Sequence, residues 1–137
     1  MTDFIIASHW REIELQAWLA RWPNFHPREI ASKDSGAVKI STDFMDGLQA
    51  TRRDFKKPMK MTSVYRTPEH NRRVGGVPGS QHVAGLAGDC ALAVLSDGPV
   101  LEALARKHGM TGIGRYPKQK FIHMDMRPGR LATWGRW

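Results

Sequence analysis

The chain reads as an α+β domain in which helices come first and a small, mostly antiparallel sheet follows. Three observations predict this. Apolar residues recur at helical spacing in Trp10 to Arg21, Thr42 to Phe55 and Asp97 to His108. The run Phe121-Ile122-His123-Met124-Asp125-Met126 alternates with the period of a half-buried strand. Between that run and Gly112 to Tyr116, the segment Pro117-Lys118-Gln119-Lys120 has the length and composition of a hairpin turn.

The elements follow in order. A helix is expected from just after Ser8 to Arg21, carrying Trp10, Ile13, Ala17 and Leu19 and stopping before Pro23, with Trp10, Trp18 and Trp22 as packing groups. Asn24 to Lys39 reads as loop with one turn at Pro27-Arg28-Glu29-Ile30. Thr42 to Phe55 reads as a helix with Ser41 or Thr42 as N-cap, Phe44, Met45, Leu48 and Phe55 on its apolar face, and Pro58 beyond its end. Lys60 to Tyr65 is strand-like, and Thr67 to Arg72 is a short helical turn with proline near its start. Val74 to Gly79 is a glycine-rich loop, Asp89 to Val94 a strand, and Asp97 to His108 an amphipathic helix closed by Gly109. Two strands, Gly112 to Tyr116 and Phe121 to Arg127, complete the pattern, and the tail from Pro128 to Trp137 carries no clear signal.

With 137 residues the chain suffices for one domain, 1–137, with a core that needs no staples. The single cysteine, Cys90, excludes an internal disulfide and a thiolate zinc site, and reads as a small core residue. The N-terminal sequence lacks a basic segment followed by a long apolar run, so neither a secretory signal nor a membrane span is expected, and synthesis in the cytoplasm is. A formal charge of +8 favours polyanionic surroundings such as nucleic acid, anionic lipid or bacterial wall polymer. The basic clusters at Arg52-Arg53, Lys56-Lys57, Arg72-Arg73 and Lys118/Lys120 are not interleaved with aromatics, which argues against nucleic acid as the partner.

The chemistry concentrates in Ser80-Gln81-His82-Val83-Ala84-Gly85-Leu86-Ala87-Gly88-Asp89 and in His123-Met124-Asp125. Two imidazoles and two carboxylates among small residues are the raw material of a metal site. Zinc accepts both donor types, and a hydrolytic site keeps one position for water beside three protein ligands, which leaves one carboxylate over. His82 and Asp89 would stand roughly 10 Å apart on a helix and roughly 23 Å apart on a strand. The chain must therefore fold back between them, with Gly79, Gly85 and Gly88 supplying the freedom, His82 on a loop and Asp89 on a strand. His123 and Asp125 share one strand face, so one can bind a metal while the other touches its water or its partner.

Taken with Tyr65-Arg66-Thr67-Pro68-Glu69-His70-Asn71 and Gly112-Ile113-Gly114-Arg115-Tyr116-Pro117, these motifs give a resemblance. From about Phe25 to Arg127 the chain resembles the zinc D-alanyl-D-alanine carboxypeptidase and L-alanyl-D-glutamate endopeptidase family, whose fold is shared with the hedgehog signalling domain. The resemblance implies a compact α+β domain with one catalytic Zn2+ held by His82, Asp89 and His123, and peptides of bacterial peptidoglycan as substrates. It implies that Arg66 and Ser80 hold the substrate carboxylate or polarise the scissile carbonyl. Many relatives place an acidic general base three residues before the last histidine ligand, but position 120 is Lys and Arg115 to Ile122 contains no acid. Asp125 becomes the expected base, and an alternative alignment makes it the third ligand with His123 as its partner. The implied function is a monomeric, endolysin-like L-alanyl-D-glutamate endopeptidase that reaches the cell wall through a pore or on lysis. D-Ala-D-Ala hydrolysis and a non-catalytic zinc-containing wall-binding module are the competing implications.

Overall fold

The computed structural model describes residues 2–137. The strand β1 (Phe4–Ala7) is followed by a 3-10 turn at Trp10–Glu12, then α1 (Leu15–Arg21), α2 (Pro27–Ile30), β2 (Val38–Ser41) and α3 (Thr42–Phe55). The second half runs β3 (Lys60–Ser63), α4 (Pro68–Arg73), β4 (Ala87–Ala91), α5 (Asp97–Lys107), β5 (Gly112–Tyr116), β6 (Phe121–Asp125) and β7 (Ala132–Gly135). β1 and β2 form an antiparallel pair. The other strands form a five-stranded sheet in the order β3-β4-β6-β5-β7, antiparallel except where β7 joins β5. This is the expected α+β architecture with a mostly antiparallel sheet.

Local chemistry sets the helix ends. The Ser41 hydroxyl accepts from the Phe44 amide at 3.1 Å and starts α3, and Lys56, at φ 63°, ends it in the left-handed conformation that unwinds a C-terminus. The helix expected from Ser8 is instead two pieces. His9 Nδ1 caps the 3-10 turn through the Arg11 amide, and the Glu14 carboxylate caps α1 through the Gln16 and Ala17 amides. Each cap satisfies donors that a continuous helix would have turned inward, so the apolar spacing alone overstates its length. Trp18 and Trp22 are buried, as packing groups should be, with their indole N–H groups on the Phe25 carbonyl and Asp46.

One sheet face carries the core. Ile113, Ile122, Met124 and Cys90 point inward and are fully buried together with Phe44 and Leu48 of α3 and Leu101 and Ala105 of α5. Burial pushes the Cys90 thiol up to about 12, which leaves it a neutral core group. The opposite face, carrying Asp89, His123 and Asp125, is left for chemistry. Among the described residues no helix is long and apolar enough to cross a membrane.

A polar staple ties the loop after α2 to the segment that carries Arg66. The Asp34 carboxylate accepts from Ser32 Oγ (2.7 Å), Thr67 Oγ (2.8 Å) and the Ser35 amide (2.7 Å), and Thr67 itself caps α4. Burial opposes the charge on Asp34 but these hydrogen bonds outweigh it and hold the carboxyl at about 2. A depressed carboxyl stabilises the fold above its unfolded value of about 3.9, and that contribution is lost as pH falls toward 2. Asp34→Asn is expected to cost about 1–2 kcal/mol at neutral pH. Urea unfolding at about pH 7 and about pH 2.5 checks this, since the difference from wild type should shrink at the lower pH.

Candidate metal centre

The register of the sheet builds the site. Asp89 on β4 lies directly opposite His123 on β6, and such cross-strand neighbours hold their Cβ atoms about 5 Å apart. His82 arrives from the loop before β4. Gly85 makes that return possible, because its φ of +75° and its 2.5 Å approach to the Lys39 carbonyl, measured from where a Cβ would stand, admit no side chain. His82 Nε2, Asp89 Oδ1 and His123 Nδ1 then converge: the ligand atoms of these three residues lie within 4.8 Å of one another.

Both imidazoles are oriented from behind. His82 Nδ1 is 2.7 Å from the Val64 carbonyl, an acceptor only, so this nitrogen carries the proton and Nε2 presents a lone pair to the site. His123 Nε2 is 2.8 Å from Asp125 Oδ2, while its Nδ1 is 3.0 Å from Asp89 Oδ1. Once Nε2–H bonds to Asp125, the lone pair on His123 Nδ1 faces a carboxylate oxygen, and a cation must lie between them. Without a metal that cation is a proton, and His123 is accordingly raised from its ordinary value: burial opposes its charge, but the hydrogen bonds to Asp125 and Asp89 prevail. Asp89 is held well below the carboxylate range because, against burial, His123 bonds to it. Two nitrogens and one carboxylate oxygen, with each ring fixed through its other nitrogen, fit a zinc ion with an open fourth position.

The converging set holds His123 and not Asp125. Asp125 sits behind His123 with no exposed surface, opposite Ala87 and Gly112. Its oxygens accept from His123, from the Arg127 amide, and from Arg127 Nε (3.0 Å) and Nη2 (2.7 Å). Burial would raise its pKa, but His123 and Arg127 overrule it and keep the carboxyl low. The expectation that Asp125 faces the water as general base is therefore at odds with its position: every oxygen is engaged and none reaches the cleft. Gly112 makes room for it, since a Cβ there would stand 2.2 Å from Asp125 Oδ1. Gly112→Ala is expected to displace this carboxylate and weaken zinc binding about tenfold, as calorimetric titration of the metal would register.

A cleft of about 630 Å³ opens over the three donors, lined by Arg66, Ser80, Tyr116, Arg127 and Trp134 among others. Arg66 donates to Ser63 Oγ (2.9 Å), Asn71 Oδ1 (3.3 Å) and Asp89 Oδ2 (3.4 Å), which leaves two of its five N–H groups uncommitted. Asn71 is buried and also donates to the Val77 carbonyl, so it holds the glycine loop and Arg66 together. Ser80 is half-buried at the rim and its hydroxyl accepts from the His82 amide at 3.2 Å. Lys120 is an exposed hairpin residue at φ 61°.

Sequence reasoning missed four contributors. The Val64 carbonyl has no side-chain letter to read. Arg127 closes the last expected strand, where its letter alone shows no role, and Trp134 lies in the tail, where only the three-dimensional return of β7 beside β5 brings it to the cleft. Tyr116 stood in a quoted motif without a role.

A family model described as Peptidase M15 matches residues 23–125. No curated protein matches the chain.

Proposed function

The chain belongs to the peptidase M15 family, and from that premise we propose that it is a zinc-dependent endopeptidase cutting peptidoglycan stem peptides between L-alanine and D-glutamate. The observation that carries this reading is the convergence of His82, Asp89 and His123 on the floor of an open cleft, each imidazole turned by an acceptor behind it.

Zinc bound there supplies Lewis-acid polarisation of a peptide carbonyl and acidification of water. The protein's own groups do the rest. Asp125 is a positioning residue in this reading: it fixes the tautomer and angle of His123 and is itself fixed by Arg127. Arg66 turns its uncommitted N–H groups to the substrate, where charge placed near the developing oxyanion is worth about 3 kcal/mol. Ser80 places its hydroxyl at the rim, within reach of a peptide that lies along the loop. The guanidinium groups of Arg66 and Arg127 on the cleft lining support a substrate with a free carboxylate just past the scissile bond.

D-Glutamate linked through its side chain offers such a carboxylate, and so does a terminal D-alanine. The preference for the L-Ala–D-Glu bond rests on the resemblance of the His-x-Asp ending. Mass spectrometry of defined pentapeptide stems after incubation with the zinc-loaded protein separates the two. A product beginning with D-glutamate supports the endopeptidase, and release of D-alanine alone would replace it with a carboxypeptidase.

We place the site of action at the cell wall, reached from the cytoplasm through a pore or on lysis, with the protein acting as a monomer and without inserting into the membrane or binding nucleic acid. The +8 charge favours adsorption to an anionic wall and makes that adsorption salt-sensitive.

A further inference from the structure

One part of the cleft lining is aromatic, made by Tyr116, Phe121 and Trp134. Tyr116, at the end of β5, stacks on Phe121 across the strand pair with centroids 4.3 Å apart and planes 8° from parallel. Its phenol oxygen accepts a hydrogen bond from Trp134 Nε1 at 2.8 Å. Trp134 comes from β7, beyond the stretch the family model matches, and its ring lies 5.3 Å from that of His123. Arg127 caps the same indole at 4.9 Å.

Glycine is what allows this assembly. Gly114 lies between His123 on one neighbouring strand and Trp134 on the other. A Cβ at Gly114 would stand 2.6 Å from Trp134 Nε1 and 2.8 Å from Tyr116 Cε2. With no side chain at 114, the indole leans over the sheet to touch both His123 and Tyr116.

The consequence lies in the direction of the phenol proton. An indole N–H only donates, so Tyr116 Oη is the acceptor in that pair and its own O–H is free. No other partner within the protein takes that proton among the described residues, and Tyr116 lines the cleft with the three metal-binding donors. Accepting one hydrogen bond also polarises the hydroxyl and strengthens the one it gives.

We infer that Tyr116 is a further catalytic residue, whose hydroxyl donates a hydrogen bond to the carbonyl oxygen of the scissile peptide as negative charge develops there, with Trp134 as the residue that positions it. The inference rests on the peptidase reading above. No proton is transferred in this role: the bond strengthens in the transition state and relaxes when the tetrahedral species collapses. Tyr116 and Arg66 then serve the same oxygen.

Tyr116→Phe tests this cleanly, because it keeps the ring stacked on Phe121 and removes one oxygen. The zinc-loaded variant is expected to lose about 100-fold in kcat on stem peptides, with KM within about twofold of wild type. It should bind zinc as wild type does, and bind a phosphinate analogue of the tetrahedral species weaker by a factor similar to its loss in kcat/KM. Trp134→Phe should lower kcat less, about tenfold, and should add nothing in the Tyr116→Phe background, since its effect runs through the hydroxyl. A Tyr116→Phe enzyme within about threefold of wild-type kcat, or one whose loss is accounted for by lost zinc, overturns the inference and leaves the peptidase reading standing. A wild-type protein that binds zinc but cleaves no stem peptide overturns both.

Discussion

Asp89→Ala is expected to abolish high-affinity zinc binding and reduce peptide hydrolysis to background. Asp89 is the one carboxylate in the convergent set, and it faces His82 Nε2 at 3.4 Å and His123 Nδ1 at 3.0 Å. Removing it leaves two neutral imidazoles, a set with too few ligands and no negative charge to hold a dication. It also strips Arg66 Nη2 of its carboxylate partner, so the charge meant for the substrate loses an anchor. Asp89→Asn keeps the shape and loses the charge, and should fall between the two in zinc affinity. Metal content by mass spectrometry, with far-UV circular dichroism to establish that the sheet is intact, checks the result. His82→Ala should behave like Asp89→Ala.

The second large effect is at Asp125, and it separates two roles. As a positioning residue, Asp125 fixes the tautomer of His123, so Asp125→Ala should weaken zinc binding 10- to 100-fold and reduce activity through the metal. Saturating zinc should then restore a large part of kcat. As a general base, Asp125 would leave zinc affinity unchanged and cost roughly 10²- to 10⁴-fold in kcat at any zinc concentration. The geometry favours the first outcome, since the carboxylate has no exposed surface and is clamped by Arg127. The variant also leaves Arg127 partly buried without its carboxylate, so thermal unfolding belongs beside the titration.

How far these features could be read from the residues follows their physics. α3 was legible to its ends because Ser41, the apolar face and Pro58 are local signals that agree. The strands β1 and β2 were not, because each is four residues long and is held by the other rather than by its own pattern. β4 begins two residues earlier than Asp89 and ends at Ala91. Ala87 and Gly88 carry no strand propensity, and the apolar Leu92-Ala93-Val94 runs past the start of β6 at Phe121, with the bond from the Leu92 amide to the Lys120 carbonyl at the end of the pairing.

The three converging donors could be named from motif spacing, and the need for the chain to fold back between His82 and Asp89 followed from reach alone. Which groups stand behind them could not. Whether Asp125 touches water or His123 depends on a rotamer that Gly112 permits and Arg127 enforces. The Trp134–Tyr116 bond depends on a parallel strand returning from a tail with no pattern of its own.

Metal-dependent cleavage of wall peptides is tested by mass spectrometry of purified peptidoglycan incubated with the zinc-loaded protein, beside a chelator-treated sample restored by added zinc. Shortened stems or freed peptides are expected with zinc, none after chelation, and their return when zinc is restored. Intact stems from every wall type, with zinc demonstrably bound, would contradict it and leave a binding module in place of a peptidase.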